Sequence, residues 1–171
     1  ISVAAGILAS SIETWLGQPA AIVRCMPNTP SLVGLGAAGL YATTAVTDQQ
    51  KATTSHIMQA VGMAVWVDQE DQIDAVTAVS GSGPAYYFLM MEAMIQGAEK
   101  LGLSTDIAQQ LVLQTAAGAA KMAQQSSQTP AQLRQAVTSP KGTTEQAINT
   151  FNGGGFNNLC DAAMAAAHHR S

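Results

Sequence analysis

The chain has 171 residues, 47% of them hydrophobic and only 11% charged, so it holds enough apolar side chain for a true core and is not a disordered polymer. Its formal net charge is -4 and its 7 Lys and Arg are scattered, which excludes the clustered basic footprint of a nucleic-acid binder. So few charges cannot keep a large free surface wet, and extra surface is expected to be buried between subunits.

The first run, Ile1-Ser2-Val3-Ala4-Ala5-Gly6, reads as a buried parallel strand entering a turn. Such a strand needs neighbours on both sides, so the chain is expected to be the C-terminal part of a longer protein. Ile7 to Leu16 has helical spacing and ends at Gly17. Ala20 to Met26 is a strand, stopped by the double-proline turn Pro27-Asn28-Thr29-Pro30. Leu35 to Thr43 is a weaker strand. Asp48 to Val61 is a helix with Asp48 as N-cap, and residues 63 to 67 form a last strand. This alternation predicts the edge of an α/β sheet.

Past Asp68 the strand signals vanish. Asp71 to Val79 starts a helix that is expected to break at Ser80-Gly81-Ser82-Gly83, and Pro84 opens the next. From Pro84 to Leu101 only Glu92, Gln96 and Glu99 form a polar stripe, so this helix is expected to be buried on several sides. Further helices follow: one capped by Ser104, one from Pro130 to Val137, one from about Thr144 to Phe151, and one after Gly153-Gly154-Gly155 to about His169. The boundary near Asp68 divides the chain into 1–67, α/β, and 68–171, all-α.

Cys25 and Cys160 match no metal or redox spacing and are expected to be free thiols in a cytoplasmic protein. His56, His168 and His169 have no ligand partner at metal-binding spacing, so no metal is expected. No basic segment precedes an apolar one at the start, so no signal peptide is expected. The longest uncharged run, Cys25 to Thr47, is broken by Pro27, Pro30 and several glycines, so no membrane span is expected. Thr143 and Gln146 have the spacing of a capping box, behind the hydroxyl-rich loop Thr138-Ser139-Pro140-Lys141-Gly142. The free N–H groups of such a helix start favour an anion such as a carboxylate. On spacing alone an ordinary capped helix is the more economical reading. Ser80 to Pro84 lacks both the Walker lysine and the nucleophile-elbow spacing. Arg24 and the turn after it lie at the carboxyl end of a strand, where open α/β sheets bind ligands, although a rigid loop explains them equally.

Three stretches in order carry a resemblance: Arg24-Cys25-Met26-Pro27-Asn28-Thr29-Pro30, Val79-Ser80-Gly81-Ser82-Gly83-Pro84-Ala85-Tyr86, and Val137-Thr138-Ser139-Pro140-Lys141-Gly142-Thr143-Thr144. Together with Gly153-Gly154-Gly155-Phe156 they resemble pyrroline-5-carboxylate reductase over essentially the whole chain. The resemblance implies the last strands of a Rossmann-type sheet followed by an all-helical domain that interlocks with its copy in a homodimer, with a larger ring left open. The glycine-rich turn of the first strand does not occur in this chain. The implied reaction is hydride transfer from NADPH, or NADH, to the C=N carbon of Δ1-pyrroline-5-carboxylate, giving L-proline. By the same resemblance the substrate carboxylate meets Ser139 and the N–H groups around Thr143, with Val137 beside them. Thr144 faces the ring nitrogen. Val3, Ala4 and Ala5 pass beside the nicotinamide, and the turn containing Asn28 walls that side. Lys141 departs from the family, which usually has a small residue there. A lysine either adds attraction for the carboxylate or points to solvent. Another imine or β-hydroxyacid reductase of the same plan, or a helical dimerisation module without catalysis, are the rival readings.

Overall fold

The computed structural model describes residues Ile1–Ser171. An α/β part precedes an all-helical part, as expected. The chain forms two compact units, one of Ile1–Tyr86 with Ala162–Ser171 and one of Tyr87–Asp161.

In the first unit, helix α1 (Ala9–Leu16) ends at Gly17, whose φ of 67° lets its N–H reach the Thr14 carbonyl. Strand β1 (Val23–Met26) pairs antiparallel with β2 (Gly36–Ala42), from Val23 opposite Ala42 to Met26 opposite Gly39. Their connection is short and built around a 3-10 turn over Thr29–Val33. It has no room for a crossover helix, so the two strands must run in opposite directions. Helix α2 (Asp48–Gln59) does provide a crossover, and β3 (Gly62–Trp66) returns parallel to β2. The cap of α2 is Thr47, not Asp48. Thr47 is extended and its hydroxyl accepts from the Gln50 N–H, while the Gln50 side chain accepts from the Thr47 N–H. Asp48 falls inside the first turn, where its charge faces the positive end of the helix dipole.

The expected opening strand is reduced to one parallel bridge between Ser2 and Arg24. The Ser2 N–H donates to the Val23 carbonyl, and the Ser2 carbonyl accepts from the Cys25 N–H, both at 2.8 Å. The direction is as expected, and with no second neighbour in this chain Ile1 and Val3 are 61% and 63% exposed.

The core of this unit is Val23, Cys25, Ala38, Leu40 and Val46, with Ala42, Met58, Ala64 and Trp66 packed against it. Trp66 keeps its indole N–H satisfied by donating to Ser55 Oγ at 2.9 Å. Cys25 is free and buried, and burial raises its thiol above the ordinary value of 9.0. The folded state therefore holds the thiol proton more tightly than the unfolded chain does. Stability should be undiminished below the unfolded thiol pKa and fall as pH rises from there through the folded value. Native protein at neutral pH should leave Cys25 unlabelled by a thiol reagent, and denaturant should expose it. Peptide mass spectrometry checks this, and rapid native labelling of Cys25 would contradict the burial.

The expected break at Ser80–Gly83 is not a loop. Helix α3 (Gln72–Val76) runs into a π turn over Thr77–Gly81, and α4 (Gly83–Lys100) follows. The wide turn is closed by Ser82 N–H donating to the Thr77 carbonyl at 2.8 Å and by Tyr86 Oη donating to the Ala78 carbonyl at 3.1 Å. Gly81 packs closely on β1: a Cβ there would lie 2.6 Å from Met26 Cε, the mobile end of a flexible side chain that would have to swing aside.

The second unit is helical, with α4, α5 (Thr105–Gln125), α6 (Pro130–Ala136), α7 (Thr143–Gly153) and the start of α8 (Phe156–Arg170). Thr129 and Gln132 form a capping box around Pro130. Ser104 is an extended N-cap residue but makes no side-chain cap bond. Only Ala108 and Val112 of α5 are buried hydrophobics here. On α4, Tyr87, Phe88 and Leu89 are 70%, 63% and 67% exposed in the single chain, so the expected burial is not met within one chain. The helices of a single chain leave these apolar faces without cover. No helix is long and apolar enough to cross a membrane.

Candidate active site

The expected substrate residues lie in the second unit and the expected cofactor residues in the first. Helix α6 ends at Ala136, and Val137 is its C-cap, 63% exposed. Thr138 closes that end, donating Oγ1 to the Arg134 carbonyl at 2.6 Å and its N–H to Gln135 O at 3.1 Å. A tight turn follows, with the Gly142 N–H donating to the Ser139 carbonyl at 2.9 Å. Lys141 occupies the left-handed region at φ 59°, alone among the non-glycine residues. Glycine adopts that φ without a steric cost, which fits the small residue that the resemblance implies for this position.

The expected capping box of Thr143 and Gln146 does not form. Gly142 is the N-cap of α7, and no side chain caps the helix there. Thr143 is already helical, so its hydroxyl is one position too late to reach the third N–H. Glu145 takes over instead, accepting from the Lys141 N–H at 2.8 Å. The first N–H groups of a helix have no carbonyl one turn behind them inside the helix. In α7 these belong to Thr143, Thr144 and Glu145. Ser139, Thr143 and Thr144 are exposed beside them. Exposed hydroxyls beside unengaged N–H groups at a helix start suit a small carboxylate.

In the first unit, Ser2 and β1 run in the same direction. Val3, Ala4 and Ala5, all exposed, therefore leave the sheet at the edge where the Pro27–Pro30 turn leaves β1. Asn28 fixes that turn. Its amide donates to the Ser80 carbonyl at 3.0 Å and accepts from the Ala37 N–H at 2.9 Å. The Ser80-Gly81 stretch thus braces the turn. Arg24 is no free ligand group: it is buried and paired to Glu70 at 3.1 Å.

Sequence reasoning missed Glu70 and Glu145. Glu70 also accepts from the Ala9 N–H at 2.7 Å, so one carboxylate ties β1 to the start of α1. Nothing in the local pattern signals a partner 46 residues away. Glu145 did leave a signal, an acid in the first turn of a helix. Glu70→Gln keeps an acceptor but leaves the buried Arg24 charge uncompensated. The expected loss is about 1–3 kcal/mol, below the figure for a fully buried pair because Glu70 is partly exposed. Urea unfolding at fixed protein concentration measures it, and an unchanged midpoint would show the pair to be dispensable.

Residues 70–171 match the family model described as pyrroline-5-carboxylate reductase dimerisation. The pyrroline-5-carboxylate reductase of Pseudomonas aeruginosa is 57% identical over 171 residues, covering all of this chain and 63% of that protein. That of Vibrio alginolyticus is 45% identical over 172 residues, covering 100% and 63%. The chain thus spans 63% of the length of these curated relatives. A solved pyrroline-5-carboxylate reductase from Coxiella burnetii matches with TM-score 0.93 and 51% identity, over 96% of this chain and 61% of that one. The Plasmodium falciparum pyrroline carboxylate reductase with NADP bound matches with TM-score 0.89 and 33% identity, over 96% and 63%. The strands accordingly belong to a Rossmann-type sheet and the helices to the helical domain that follows it. With its helical part matched by the family model and its whole length aligned to these reductases, the chain belongs to the pyrroline-5-carboxylate reductase family.

Proposed function

We propose that this chain works in a reductase that converts Δ1-pyrroline-5-carboxylate to L-proline, completing proline biosynthesis. The observation that carries the reading is the start of α7, where exposed hydroxyls and unengaged N–H groups meet in a chain of this family. Residues 1–67 serve dinucleotide binding and 68–171 serve dimerisation and substrate binding. The family match beginning at residue 70 supports that division.

Ser139 Oγ and the N–H groups of Thr143 and Thr144 receive the substrate carboxylate, with Val137 beside it. Thr144 Oγ1 donates toward the ring nitrogen and keeps a proton available there as the C=N bond is reduced. The nicotinamide, when bound, supplies the hydride. The small exposed side chains of Val3, Ala4 and Ala5 fit a flat ring laid against the sheet edge. Asn28 contributes by holding the wall of that site, since its amide is already bonded to Ser80 and Ala37. NADPH is the favoured reductant over NADH, in keeping with the NADP in the Plasmodium falciparum relative. A homodimer covers the apolar faces of the helical part. The free thiols Cys25 and Cys160 suit a reducing cytoplasm.

The test is oxidation of NADPH by the full-length protein with a panel of cyclic imines. Pyrroline-5-carboxylate should have the highest kcat/KM. Preference for another imine, or no turnover by a folded dimer, would overturn the reading.

A further inference from the structure

We propose that Glu145 is a positioning residue for this site, holding residues 139–144 in the conformation that receives the substrate; this rests on the reading of that loop as the substrate site. The loop must bend sharply between α6 and α7, and it does so through Lys141 at φ 59°. L side chains disfavour that region because Cβ crowds the backbone. Glycine would adopt it freely, yet this chain has lysine. Something else must keep the turn populated. Two bonds do so: Gly142 N–H to the Ser139 carbonyl at 2.9 Å, and Lys141 N–H to Glu145 Oε2 at 2.8 Å. The second is charge-assisted and comes from a half-buried side chain on the first turn of α7. It ties the strained residue to the helix whose N–H groups face the substrate. The carboxylate also adds negative charge at a helix end proposed to take an anion. Its value therefore lies in the bond it accepts and not in attraction for the substrate.

A positioning role changes the fraction of loops that are competent to bind. KM then rises as that fraction falls while kcat holds. In the full-length dimer, Glu145→Ala should raise KM for pyrroline-5-carboxylate about 5–20-fold with kcat within about 2-fold. Glu145→Gln keeps an acceptor and should restore KM to the wild-type value or below, because it also removes the like charge. Adding Lys141→Gly to Glu145→Ala should recover most of the lost KM, since glycine needs no clamp at that φ. Hydrogen exchange at the Lys141 amide should be slowed in the wild type and in Glu145→Gln and accelerated in Glu145→Ala.

A merely stabilising carboxylate would lower melting temperature without this KM–kcat split and without rescue by glycine, which would overturn the proposal. So would an unchanged KM in Glu145→Ala while Thr144→Val still impairs catalysis. If both variants behave as wild type, the loop is not the substrate site, and the functional reading falls along with the proposal.

Discussion

Leu89→Asp should convert the protein from dimer to monomer at low micromolar concentration, and reductase activity should disappear with it. Leu89 is 67% exposed, between Phe88 at 63% and Met90, which lines an apolar groove of about 570 Å³ with Met94, Ile148, Phe151 and Phe156. A second groove of about 530 Å³ is lined by Met94, Leu101, Leu103, Leu111 and Val112. So much exposed apolar surface on one helical unit calls for a covering partner. In a two-fold dimer each substitution counts twice. Losing a buried leucine costs roughly 1.5–3 kcal/mol per copy before any penalty for burying the new carboxylate. Two copies then cost at least about 3–6 kcal/mol, a Kd rise of two to four orders of magnitude. Glu92→Gln, on the polar stripe of the same helix, should remain dimeric. Sedimentation equilibrium separates the outcomes. A Leu89→Asp protein that stays dimeric would move the interface elsewhere.

Thr144→Val should lower kcat/KM for pyrroline-5-carboxylate by one to two orders of magnitude, about 1.4 to 2.8 kcal/mol of transition-state stabilisation. Valine keeps the shape and removes the hydroxyl. Thr144 lies in the first turn of α7 and is exposed, so the substitution disturbs no core contact. The weaker helix propensity of a β-branched residue is shared by both side chains. NADPH affinity should change little, because the proposed role of the hydroxyl is toward the substrate ring. Lys141→Gly should leave kcat nearly unchanged, since the turn already has a glycine-like φ. Steady-state kinetics on dimeric protein checks both variants. Wild-type kcat/KM in Thr144→Val would remove the hydroxyl from the mechanism and leave α7 an ordinary helix.

Apart from the opening strand and the break at Ser80–Gly83, the order of elements and their type are legible in the residues themselves. Helical spacing and a terminal glycine mark α1, prolines mark the ends of β1 and the start of α6, and a triple glycine separates α7 from α8. These signals act over a few residues, which is why they survive without tertiary context. The hydroxyl loop ahead of α7 was visible for the same reason. What the fold alone decided involves partners distant in sequence or choices between near-equal local options. Arg24 finds Glu70, Asn28 finds Ser80 and Ala37, and Gly81 makes room for Met26. Thr47 and Gly142 took the N-cap positions from their neighbours Asp48 and Thr143. Cap choice turns on backbone angles that the approaching chain sets, and neighbouring polar residues differ there by little. The apolar face of α4 reads from the sequence as surface to be buried, and the low charge points to a second subunit as its cover. Which side chains stay uncovered is decided by the fold. Within one chain that face stays exposed, because no other helix of the chain packs extensively against it.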